Sequence, residues 1–155
     1  MLFTLLKFLH ILLMFAAVAA TVLPEVVLHL VANTRDPRAI RTFGLITARI
    51  GKVTPMLFIS GAVFGLLAAW SGSLDFLKPW LIGAYVLFVA ATGIGIAFSD
   101  PWAARVTALA GSNDTEEVSP DLESAITDGR AKFWSAVLMA ILVAMIFLMV
   151  FKPGN

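Results

Sequence analysis

Four apolar stretches divide this chain, at residues 8–32, 53–71, 79–98 and 133–151. Each approaches the roughly 20 helical residues that cross a hydrocarbon core about 30 Å thick. In lipid every backbone amide needs an internal partner, which leaves only helices or closed barrels. The runs are continuous and do not alternate, so they select helices. Composition agrees, since 60% of the 155 residues are hydrophobic and 14% are charged. Soluble domains run nearer roughly half and about a quarter. The expected fold is one all-α integral domain, 1–155, a four-helix transmembrane bundle in contact with the lipid bilayer.

The first stretch also imitates a signal peptide, with Lys7 ahead of an apolar run that ends in Ala17-Val18-Ala19-Ala20. The run continues through Val31, however, and most of the nearby positive charge follows it at Arg35, Arg38 and Arg41. That pattern fits an uncleaved first span. The connection 33–52 carries five Lys/Arg and one Asp, and the connection 99–132 carries three Lys/Arg and seven Asp/Glu. Only Lys7, Lys78 and Lys152 fall on the other side. The positive-inside rule then puts both long connections in the cytoplasm and both termini outside, as in a bacterial inner membrane.

A net charge of +1 supplies no bulk attraction for nucleic acid, and the absence of Cys removes disulfide, thiolate and iron–sulfur chemistry. Two His cannot fill a tetrahedral zinc site. Asp36-Pro37-Arg38-Ala39-Ile40-Arg41 and Asp100-Pro101-Trp102-Ala103-Ala104-Arg105 share the pattern D-P-x-A-x-R. Asp is a good helix cap and Pro fits the first helical position, so each copy reads as a new helix start after a long span. A duplicated two-span hairpin would explain the pair, and so would ordinary capping chemistry. From Arg38 onward, helical spacing gathers Arg38, Arg41, Arg49 and Lys52 in one stripe, with Ile40, Phe43, Ile46 and Ile50 opposite. The expectation is an amphipathic helix between spans one and two, with its basic stripe on the membrane surface. Ser119-Pro120-Asp121 is a further helix start, and residues 111–118 read as a mobile acidic loop tip.

Polar residues within spans are costly, so each is a functional candidate. Span one concentrates them: Lys7, His10, Met14, Val18, Thr21, Glu25 and His29 follow at spacings of three or four along one helical face. That face is expected to turn toward protein. His10 is open to two readings. It is an axial haem ligand, or with Met14 a copper ligand, or else an interfacial histidine bonded to a carbonyl or head group. Glu25 and His29 are one turn apart and read as a buried polar pair, with the basic helix as the competing partner for Glu25. Gly61-Ala62-Val63-Phe64-Gly65 is a GxxxG, the spacing that lets helices approach closely in lipid. No catalytic base and nucleophile can be assigned, which leaves enzymatic activity undecided.

Leu6-Lys7-Phe8-Leu9-His10-Ile11-Leu12, Arg49-Ile50-Gly51 and Phe147-Leu148-Met149-Val150-Phe151-Lys152-Pro153 together resemble a bacterial four-span membrane family of unknown function. That family is similar in pattern to the haem-containing membrane protoporphyrinogen oxidases and to the copper-resistance D-type proteins. The resemblance implies haem b, or a metal such as copper, at His10. The aromatic-Val-Gly-Gly stretch of the oxidases is replaced here by Met14-Phe15-Ala16-Ala17-Val18-Ala19, and spans two to four bring no His or Lys to membrane depth. Porphyrinogen oxidation is therefore not carried over. Three functions follow as expectations: haem or metal binding at His10, a non-catalytic subunit of a larger membrane complex or homo-oligomer, and proton transfer through Glu25 and His29.

Overall fold

The computed structural model describes residues 1–112 and 117–153, and no strand occurs among them. Helix α1 runs Leu2–Asn33 without a break, Pro24 included. Thr34 and Arg35 reverse the chain, and Asp36 caps α2 (Pro37–Gly51) by accepting from the amides of Arg38 and Ala39. Pro37 opens that helix, where no amide hydrogen is needed. Lys52 and Val53 keep right-handed helical backbone, so α2 runs on into α3 (Thr54–Ser71). The second half repeats this layout in its own way. Helix α4 (Pro79–Ile94), a π-helical turn (Gly95–Ser99) and α5 (Asp100–Ser112) make one rod. Helices α6 (Pro120–Ile126) and α7 (Gly129–Phe151), capped by Ser119 and Asp128, make the other.

The result is four rods of 32 to 35 residues, each long and apolar enough to cross a membrane. The chain is a multi-pass membrane protein with the architecture of an all-α four-helix bundle. At about 1.5 Å per residue the rods are roughly 50 Å long, well beyond a hydrocarbon core of about 30 Å. Upright, each rod would leave about two-fifths of its length clear of the hydrocarbon.

Close approaches fix the registers. A Cβ built on Gly65 or Gly61 of α3, or on Gly72 just past its end, would run into His10, Met14 or Phe3 of α1 respectively. Continued at the same pitch, this antiparallel register sets Lys52 level with Leu23 of α1. In the second hairpin Lys152 lies over the Trp80 ring, Gly83 abuts Leu148, and Phe98 stacks on Trp134 at 4.3 Å. Each hairpin packs tightly on itself. The two meet chiefly at the end that carries the long connections, where Leu28, Ala32, Ile40, Trp102, Val106, Leu122 and Ile126 form the main buried cluster. Toward the termini they touch little, with Phe58 against Phe88 as a ring contact between α3 and α4.

Two expectations change. The two D-P-x-A-x-R copies are not equivalent, because Asp36 starts a new antiparallel helix whereas Asp100 lies inside a rod that continues. Pro101 brings no amide hydrogen, and the helix passes it through the π-helical turn, the Asp100 amide reaching back to the Gly95 carbonyl. The counterpart of Asp36-Pro37 is instead Ser119-Pro120. Gly111 and Ser112, placed in a loop by sequence, close α5; residues 113–116 of that expected loop lie outside the described residues. The helix expected between spans one and two is α2, and it packs along the end of α1 and against α5. Arg38, Arg41 and Arg49 on it, and Lys52 just beyond its end, are all exposed.

Candidate functional site

The inward stripe of α1 serves two different neighbours. Near the termini it faces α3. His10 Nδ1 donates to the carbonyl of Gly61 at 2.7 Å. A carbonyl can only accept, so this bond puts the ring proton on Nδ1 and leaves Nε2 of the neutral imidazole with its lone pair. A Cβ on Gly65 would fall 2.7 Å from His10 Nδ1 and 2.8 Å from Cε1. The Nδ1–Cε1 edge therefore lies on α3, and only glycine leaves room for it. One turn on, a Cβ on Gly61 would fall 2.7 Å from Met14 Sδ. The GxxxG motif thus works within the chain, as a seat for His10 and Met14.

Toward the connections the stripe faces the second hairpin. Glu25 is buried, at 9% exposure, and its Oε1 accepts from Ser99 Oγ at 3.1 Å. Ser135 of α7 is a second hydrogen-bond partner. His29 stacks on Trp102, with ring centres 3.9 Å apart and planes 17° from parallel. Trp102 is held in turn by its Nε1–H, which donates to the Ala125 carbonyl at 3.0 Å. The expected Glu25–His29 pair does not form. The two side chains share a face, but each meets a different layer of the second hairpin, hydroxyls for one and an indole for the other. Nor does the basic helix supply the partner, since Arg38, Arg41 and Arg49 face outward while Glu25 faces in.

Ser99, Trp102 and Ser135 were missed by sequence reading. Trp102 sits inside the second D-P-x-A-x-R copy, and the Pro at its head was the available signal for an irregular helix at that point. Outside the spans, the turn after α1 is tied to α6 by Arg35, whose Nε donates to Glu123 Oε2 at 2.9 Å. The guanidinium hydrogen bond holds the Glu123 carboxyl below its ordinary range. No set of three His, Asp or Glu side chains suited to a metal ion occurs among the described residues. No protein-family model, curated protein or solved structure matches the chain.

Proposed function

We propose that this is a small bacterial inner-membrane protein that binds haem b through His10 Nε2 and acts in redox or metal handling. Both long connections are cytoplasmic in this reading and both termini lie outside, on the strength of the Lys/Arg distribution. The observation that carries the haem assignment is the His10 Nδ1–Gly61 carbonyl bond. Ligating histidines characteristically donate their other ring nitrogen to such a group, which fixes the tautomer and raises ligand basicity. Haem asks one donor of the chain, and His10 is one donor. Copper asks for more, and the Met14 sulfur beside it lies against α3 at Gly61. Bound haem would be held by His10 and would supply one-electron chemistry. The test is the visible spectrum of detergent-purified protein after haem supply, for wild type and His10→Ala. A Soret band present in wild type and lost in the variant is expected; none in either, or the same band in both, defeats the proposal.

A second reading is favoured by the sparse contact between the hairpins toward the termini. Surface left there suits packing against another protomer or a larger complex, in a non-catalytic accessory or assembly role. Protein without a Soret band that runs as a defined oligomer in detergent would support it.

A further inference from the structure

An open cleft of about 180 Å³ lies where the π-helical turn meets the start of α7, and it is independent of the His10 seat. Its walls include Phe98, Trp102 and Trp134, and its charged rim is Arg105, Asp128 and Arg130. The aromatic wall is rigid, because Phe98 stacks on Trp134 with planes 11° apart and Trp102 is clamped between His29 and the Ala125 carbonyl. Among the described residues neither Arg105 nor Arg130 has a carboxylate partner for its guanidinium. Asp128 is committed to α7, its Oδ1 accepting from the Arg130 amide at 2.9 Å. Two guanidiniums and one carboxylate leave the rim one positive charge in excess.

Depth supplies the second observation. Glu25, two residues or about 3 Å beyond the level of Lys52, reaches Ser99 and Ser135, which places the cleft close to the level of Lys52, where α2 passes into α3. Trp at that level is characteristic of the boundary between hydrocarbon and head groups. Ile96 and Phe133, each next in sequence to a lining residue, are exposed apolar side chains at 66% and 60%. A ligand with a charged head in the cleft can thus lay apolar chains along the bundle.

We propose that this cleft seats the phosphodiester head group of an anionic glycerophospholipid, gripped by Arg105 and Arg130 against the aromatic wall. One phosphodiester charge balances the rim, and planar guanidiniums match phosphate oxygens in pairs. Basic pockets between spans at a head-group level bind phospholipid heads by this chemistry.

The test is native mass spectrometry of the full chain in detergent, titrated with phosphatidylglycerol, phosphatidylcholine of the same acyl chains, or soluble glycerol 3-phosphate. Phosphatidylglycerol is expected to bind at least tenfold more tightly than phosphatidylcholine. Arg105→Gln with Arg130→Gln is expected to remove that preference, while Arg41→Gln with Arg49→Gln on the outer stripe keeps it. If the double Gln variant does not fold, the single Arg105→Lys and Arg130→Lys variants keep charge, lose the paired donors, and are each expected to weaken the preference. Equal binding of the two lipids, or an unchanged preference in the cleft variants, overturns the proposal. Glycerol 3-phosphate competing at the lipid's own affinity would assign the cleft to a soluble phosphate and overturn the lipid source.

Discussion

Gly65→Ala tests the His10 seat most directly. The added methyl would lie 2.7 Å from Nδ1, 2.8 Å from Cε1 and 3.4 Å from Cγ of His10. To recover an ordinary contact the ring must back away by about 0.7 Å along the edge that carries its hydrogen bond. That movement stretches the 2.7 Å Nδ1–Gly61 bond past useful length. The lost bond is worth about 1 kcal/mol, somewhat less between membrane helices. Overpacking adds about 1–3 kcal/mol. Replacing a mid-helix Gly by Ala returns roughly 0.5–1 kcal/mol. The net is a destabilisation of about 1–3 kcal/mol, read from denaturant titration in mixed micelles. Gly93→Ala is the control, because a Cβ there meets nothing within 4 Å and only the helix gain remains. The decisive arm is the double variant. With His10→Ala the ring is gone, so Gly65→Ala should turn neutral or stabilising, a coupling of about 2 kcal/mol between the sites. A penalty that persists without the imidazole would mean that Gly65 answers to something other than His10, and the seat would be wrong.

Further outcomes follow from the same packing. Gly44→Ala should cost more than Gly61→Ala in the same titration, because its methyl would overlap the stiff, β-branched Thr107, whereas at Gly61 it meets the flexible end of Met14. Glu25→Gln should keep thermal stability in detergent close to wild type, while Glu25→Leu should lower it by about 1–3 kcal/mol by stranding the Ser99 and Ser135 hydroxyls; equal stability of the two would refute the triad. Because Arg35 holds the Glu123 pKa below its ordinary 4.5, that contact contributes stability above about pH 4.5 and loses it as pH falls through the lower folded value. The stability difference between wild type and Arg35→Gln should therefore be small, since both groups are exposed, and should vanish in acid. In the proposed topology Ser112→Cys, in a chain with no native Cys, should label with impermeant reagents only from the cytoplasmic side, and labelling from outside would overturn it.

The rods were legible because a hydrocarbon-spanning run leaves a signal that needs no partner: length, apolarity and the flanking charges of residues 8–32 and 133–151 are properties of one segment. The inward stripe of α1 was legible for the same reason, and His10, Met14, Thr21, Glu25 and His29 are all at least half buried by their neighbours. What each of them touches is a property of two segments. Glu25 and His29 were paired on the strength of one-turn spacing, yet hydroxyls and an indole from residues more than 70 positions away reach them first. Capping chemistry misled in the opposite direction. Asp-Pro opens a helix when the chain has just turned, as at Asp36, and is absorbed by a π-helical turn when it has not, as at Asp100. Spacing within the motif is identical; only the preceding turn, Thr34-Arg35 in the first case and none in the second, distinguishes them.

The uneven contact between the hairpins has a physical consequence. Within each hairpin the helices approach closely at glycines, Gly61 and Gly65 against Met14 and His10 in the first and Gly83 against Leu148 in the second. Between hairpins the polar links lie toward the long connections, where Glu25 reaches across to Ser99 and Ser135, His29 lies on Trp102 and Arg35 pairs with Glu123. Elements held by few contacts open at lower free energy than those held by many. The hairpins should therefore separate at the terminal end first, pivoting on the cluster around Ile40, Trp102 and Val106. The His10 seat lies wholly on the first hairpin, so such a movement leaves the Nδ1–Gly61 bond intact. The arginine cleft, built from α5, α7 and the π-helical turn, belongs wholly to the second hairpin, and it too survives the movement.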